Sequence, residues 1–233
     1  MTRTRRAAFA AAALIAAIGL AALGVWQIER RAWKHELIAA VETRIHAPPV
    51  AAPGPDRWDA VNAKDDAYRR VTASGTFRHD RETLVQAVTE RGAGYWVVTP
   101  LETPGFALLV NRGFVSKDRQ DATARAAGNV AGPVTVTGLL RVTEPGGAFL
   151  RSNDPAAGRW FSRDVAAIAR ARGLGRTAPY FVDADASPNP GGYPVGGLTV
   201  VRFRDHHMVY ALTWFALCAL SLFFAWRLWR IRE

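Results

Sequence analysis

The residues best placed for chemistry are Asp205-His206-His207, which stand immediately before a run of 19 uncharged residues, Met208 to Trp226. A neutral imidazole is a general ligand for transition metals and is available near neutral pH. Tyr210 and Trp214 follow His207 by three and seven residues, so on a helix they share its face. A flat macrocycle lying between two helices would meet an aromatic wall there, with His207 as the metal ligand. The same spacing also describes polar interface residues followed by an aromatic belt, and spacing alone leaves both readings open. The other histidines, His35, His46 and His79, belong to no HExxH pattern, and the chain contains no CxxC, GxSxG or GxxxxGK[ST]. Asp65-Asp66, Asp183 with Asp185, and His79-Asp80 read as solvated turn residues. Arg112 reads as a salt-bridge or capping residue. Gly191 to Gly197 is glycine-rich but lacks the strand-to-helix context of a phosphate loop. Cys218, the one cysteine, lies inside the apolar run and reads as small apolar filler.

The elements that would hold His207 begin with that run and a second one, the 20 uncharged residues Ala7 to Trp26. Either is long enough to cross a hydrocarbon core of about 30 Å as a helix. A net charge of +10 with a mean hydropathy of -0.02 would otherwise suggest a basic soluble protein. Of 30 Lys+Arg and 20 Asp+Glu, the two tails hold six Arg and one Glu, leaving 24 and 19 between the runs, a net +5. The division is therefore a cytoplasmic tail at 1–6, a transmembrane helix at 7–26, an outer domain at 27–207, a transmembrane helix at 208–226 and a second cytoplasmic tail at 227–233. Short basic tails place both termini in the cytoplasm and the middle on the opposite side. The first run exceeds the apolar length of a signal peptide and continues as helix, so it reads as an uncleaved anchor. The Ala- and Arg-heavy composition suggests a bacterial inner membrane with a periplasmic domain. Membrane lipid is an expected partner and nucleic acid is not.

After the first run, Trp26, Trp33, Leu37 and Val41 share one helical face, so the helix continues to about Arg44, where Pro48, Pro49, Pro53 and Pro55 begin an extended linker. Short strands follow at 70–77, 82–88, 95–101, 106–110 and 133–142, with a last at 198–203 feeding the second span. Within 133–142, Val134, Val136 and Leu139 or Leu140 are the inward candidates. One helix intervenes, with Ser162 as N-cap, Asp164 in its first turn, Val165, Ile168 and Ala169 inside and Gly173 as terminator. The expected fold is a membrane protein of the α+β class. Its N- and C-terminal transmembrane helices flank a mainly antiparallel β domain, a sheet or small barrel, with covering helices.

Several segments together resemble the surfeit locus protein 1 family. They are Leu23 to Lys34, Tyr68 to Val71 with Gly75 and Phe77, Val97 to Leu101, Leu109 to Val115, Trp160 with Arg163-Asp164, Tyr180 to Asp183, Gly191 to Gly197 and His207 to Phe215. The resemblance covers nearly the whole chain and rests on the order of these motifs. It implies a bacterial, non-enzymatic assembly factor for haem–copper cytochrome c oxidase. Such a factor would bind or hand over haem a during maturation of the catalytic subunit, and haem a synthase would be a further partner. The family's haem-binding His matches His207; Asp205 and His206 depart from the residues usual before it, which leaves open whether His206 substitutes as ligand, provides a second one or only flanks it. The rival readings are a cofactor-free membrane-anchored scaffold that stabilises an oxidase intermediate, and a membrane-anchored hydrolase.

Overall fold

A computed structural model describes residues 2–148, 150–201, 203 and 205–230. In chain order the elements are α1 (Arg3–His46), β1 (Val50–Ala51), β2 (Arg70–Phe77), β3 (Thr83–Thr89), β4 (Gly92–Thr103), β5 (Phe106–Ser116), β6 (Pro133–Val142), β7 (Gly147–Ala148), β8 (Arg151–Ser152), α2 (Val165–Ala171), β9 (Thr177–Ala184) and α3 (His207–Arg230). The chain divides into two units, Met1–Ala40 with Val201–Glu233, and Val41–Val200.

The first unit contains the two long apolar helices, each of a length and composition able to cross a membrane. Their least exposed positions follow a seven-residue repeat. On α1 these are Ala10, Ala17 and Gly24, with Gln27 and Arg31 continuing the same stripe. On α3 they are His207, Ala211, Trp214, Cys218 and Ala225. Small residues let two backbones approach where lipid offers no hydrophobic drive to association. Gly24 shows how close the approach is, because a Cβ there would lie 2.6 Å from the Phe215 ring. Trp26 and Trp33, which share one helical face, are about half exposed. On α1 the stripe is set by the smallest residues, and Trp26 and Trp33 lie off it.

In the second unit the strand order is β1-β2-β6-β9-β5-β4-β3, and β2 also pairs with β4 through Thr76–Glu102 and Phe77–Leu101. That extra pairing closes β2, β6, β9, β5 and β4 into a small barrel. Gly75 permits it, since a Cβ at that position would sit 2.3 Å from the Glu102 carbonyl oxygen. Pairing is antiparallel except for β1 with β2 and β5 with β9. The linker expected at the prolines contributes β1, and Leu198 to Val201 forms no strand; Arg202, in the same expected strand, lies outside the described residues.

Alternation along the strands divides the core into two. Val71, Leu101, Leu108, Val110, Leu140, Ala178, Tyr180 and Val182 fill the barrel. Leu140, not Leu139, faces inward because it keeps parity with Val134 and Val136. The opposite faces of β3, β4, β5 and β9 send Val85, Val98, Leu109 and Phe181 against Trp160, Val165 and Ile168. β5 and β9 are thus buried on both sides, which is why Phe106 to Val110 reads as a continuous apolar run instead of an alternating one and why burial continues without a break from Leu108 to Val115. Each fully buried aliphatic or Phe side chain contributes about 1.5–3 kcal/mol. Inside the barrel, the Tyr180 hydroxyl donates to the Pro53 carbonyl at 2.7 Å, and burial raises its pKa.

The helix α2 is capped by Asp164, whose carboxylate accepts from the Ala167 N–H at 3.0 Å; the expected cap Ser162 instead accepts from Asn153. Arg112 is also placed differently from expectation. It is 2% exposed, forms no ion pair among the described residues, and donates to the Gly128 carbonyl, to Asn189 Oδ1 and to His79 Nδ1. Burial lowers its pKa to about 10. His79 donates through Nε2 to the Val130 carbonyl at 3.0 Å, so Nδ1 is its accepting atom.

Burial lowers the His79 pKa, with Arg112 adding to the effect. In the unfolded chain a His titrates near 6.5. As pH falls below that value the unfolded state takes up the proton first, so His79 makes the folded domain less stable towards acid, levelling off below its folded pKa. The full chain in detergent should therefore lose thermal stability between pH 7 and pH 5 by near-ultraviolet circular dichroism. His79→Gln, which can still donate to Val130 and accept from Arg112, should flatten that slope; an unchanged slope would assign the effect elsewhere.

Candidate functional site

The start of α3 is built by Asp205. One carboxylate oxygen accepts from the His207 backbone N–H at 3.1 Å, satisfying one of the open donors of the first turn. The other accepts from His35 Nε2 at 2.7 Å and from Arg31 Nε at 3.2 Å, both on α1. The hydrogen bond from His35, with the charge of Arg31 nearby, pulls the Asp205 pKa down to about 2. Asp205 is therefore a carboxylate throughout the physiological range. It fastens the first turn of α3 to α1 one to two turns beyond Gln27.

His207 follows in the same turn. Its Nδ1 is 2.7 Å from Gln27 Oε1. An amide oxygen only accepts, so in neutral His207 the proton lies on Nδ1 and the lone pair on Nε2. Among the described residues Nε2 has no hydrogen-bond partner. Both His207 and Gln27 are half-buried.

Of the other expected site residues, Trp214 lies on the packed stripe with His207, and its Nε1 is buried without a hydrogen-bond partner among the described residues. An indole N–H normally finds one when buried. Tyr210 is 57% exposed and points away from the stripe, and His206 is exposed. Cys218 is a half-buried thiol on the stripe. Gln27, Arg31 and His35 carry the geometry around His207, yet sequence spacing did not single them out. The available signal was the Ala10–Ala17–Gly24 repeat, whose continuation reaches Gln27 and Arg31.

The β domain holds a second polar cluster. Asp183, expected in a solvated turn, is 2% exposed and accepts from Asn111, Arg163, Arg141 and Thr199 at 2.7 to 3.0 Å. Arg163 also pairs with Glu144 at 2.6 Å, and both guanidiniums lie over Phe181. Two acids and two cations neutralise one another, so the cluster is a closed structural network. Asp66, likewise expected to be solvated, is buried and paired with Arg69 at 3.0 Å. Among the described residues no group of three or more His, Cys, Asp or Glu is arranged to hold a metal ion.

The SURF1 family matches residues 14–219 of this chain. Surfeit locus protein 1 of Rattus norvegicus is 37% identical over 222 residues, 88% of this chain and 70% of the relative. The human surfeit locus protein 1 is 36% identical, over 84% of this chain and 69% of its own length. A SURF1-like protein of Drosophila melanogaster is 31% identical, over 88% and 72% respectively.

Proposed function

The chain belongs to the SURF1 family, and from that premise we propose that it is a membrane-anchored, non-enzymatic assembly factor for haem–copper cytochrome c oxidase. Haem a is its cargo, His207 Nε2 is the ligating atom, the oxidase catalytic subunit is the partner that receives it, and haem a synthase is a further partner. The basic tails favour cytoplasmic termini and a periplasmic β domain at a bacterial inner membrane.

The observation that carries this reading is His207 itself. It sits at the first turn of α3 with Nδ1 engaged, Nε2 without a hydrogen-bond partner among the described residues, and Trp214 on the same stripe. The donor set suits a macrocycle better than a bare ion. A porphyrin supplies most of its iron's donors itself, so the single imidazole of His207 would be enough to hold it. An uncomplexed copper or iron ion needs several protein donors, and the described residues group no such set. Holding the group through His207 alone would also suit its hand-over to a partner. The two apolar helices would supply surroundings poor in water for such a hydrophobic group.

The protein should be purified from cells that make haem a and compared with His207→Ala and His206→Ala by optical spectroscopy. The His207 variant should lose most of the bound haem and the His206 variant should keep it. Equal haem content in a folded His207→Ala protein would overturn the ligand assignment. Oxidase yield unaffected by His207→Ala would instead favour a cofactor-free scaffold.

A further inference from the structure

We propose that Gln27 is the positioning residue for His207: its amide oxygen holds the imidazole in the Nδ1–H tautomer, so that Nε2 alone can ligate. This rests on the reading of His207 as a haem ligand and adds how that ligand is prepared.

The two residues are 180 positions apart in the chain and 2.7 Å apart in space. A free neutral imidazole exchanges its proton between the two nitrogens, and each tautomer offers its lone pair from a different atom. Ligation through Nε2 needs the proton on Nδ1, and a ring left free spends part of its time unable to ligate there. An acceptor fixed against Nδ1 removes that loss and also fixes the plane of the ring. Metal-bound histidines generally donate their other N–H in this way, and losing the acceptor typically weakens metal binding by about 10–100-fold.

The surroundings keep Gln27 in this task. Arg31 and His35, the cationic and imidazole groups that follow it on α1, are both committed to Asp205. Asp205 in turn gives its remaining oxygen to the His207 backbone N–H. Backbone and ring of His207 are therefore held by separate partners: Asp205 sets where the residue starts, and Gln27 sets how the ring points. Gln27 sits one turn beyond Gly24, whose lack of a Cβ makes room for the Phe215 ring of α3, so its short amide reach spans the gap. Were the amide reversed, its N–H would donate to Nδ1 and force the proton onto Nε2, the opposite tautomer.

Two measurements test the assignment. The first uses haem-free full-length protein in detergent, labelled with ¹⁵N-histidine, in which two-bond ¹⁵N–¹H correlations distinguish the tautomers. His207 is identified among the five His by its absence in His207→Ala. Wild type should show His207 as Nδ1–H, Gln27→Leu should move it towards Nε2–H, and Gln27→Glu, which keeps an acceptor of the same length, should restore Nδ1–H. The second titrates the same proteins with protohaem. Gln27→Leu should bind about 10–100-fold more weakly, while Gln27→Glu should bind near wild type with a raised iron–histidine stretching frequency.

An Nε2–H tautomer in wild type, or the same tautomer and affinity in Gln27→Leu, would overturn the role of Gln27. Protohaem binding equal in wild type and His207→Ala would overturn the ligand reading instead, and the tautomer measurement would still decide what Gln27 does. Far-ultraviolet circular dichroism on each variant confirms that the helices are intact.

Discussion

Asp183→Ala should destabilise the β domain by about 3–5 kcal/mol, the cost of breaking a buried ion pair by removing one partner. Asp183 is 2% exposed, and both its oxygens are fully used: one accepts from Asn111 and Arg163, the other from Arg141 and Thr199. Removing the carboxylate leaves two guanidiniums, from β6 and from the segment before α2, to share Glu144, which lies 2.6 Å from one and 3.5 Å from the other. Asn111 and Thr199 lose their acceptor as well. Asp183→Asn should be nearly as damaging, because half of the new amide is a donor turned towards donors. In thermal unfolding of the full chain followed by near-ultraviolet circular dichroism, either variant should lower the domain transition by roughly 10 °C. A drop of only a degree or two would mean that Glu144 alone can satisfy both cations. An Asp183→Ala, Arg141→Met double variant should recover part of the loss, since it removes one of the stranded charges along with its partner.

That network also marks where the sequence stops being informative. Asp183 and Asp185 look alike in the chain. One faces buried cations only because β9 pairs with β6 and β5, and nothing local to residue 183 reports that pairing. β2 and β6 were legible because their half-buried faces alternate, and the extent of β6 follows from the proline that begins it and the polar turn after it. β5 was legible only as far as Val110, because beyond it Asn111 and Arg112 are polar residues inside a buried strand. Arg112 could be recognised as internal only through the loops around Gly128 and Asn189 that meet it. The two apolar helices and His207 could be read directly, since length and a charged-to-apolar boundary are local properties. Gln27 could not, since its meaning arises only when the two ends of the chain pair side by side.

Trp160→Ala should rank with Asp183→Ala, at about 3–5 kcal/mol, the range for emptying a buried aromatic site. Its ring is 1% exposed and packs with Val85, Val98, Leu109, Val165, Ile168 and Phe181, the cluster that fastens α2 to the outer face of the barrel. The backbone at this position does separate work. Trp160 bridges Val85 in parallel, and its carbonyl accepts from the Gln86 N–H at 2.8 Å, covering the part of the β3 edge that β4 leaves open. Truncation at Cβ leaves those backbone groups in place but removes the side chain that holds the segment down. β3 should therefore open more readily than the barrel strands. Amide hydrogen exchange on the full chain should show faster exchange in β3 and α2 of Trp160→Ala, with β6 and β9 still protected. Uniform acceleration through the barrel would mean that the two halves of the core unfold as one. Val88→Ala is the control on the same strand: Val88 is 85% exposed, and its truncation should change stability by no more than about 0.5 kcal/mol.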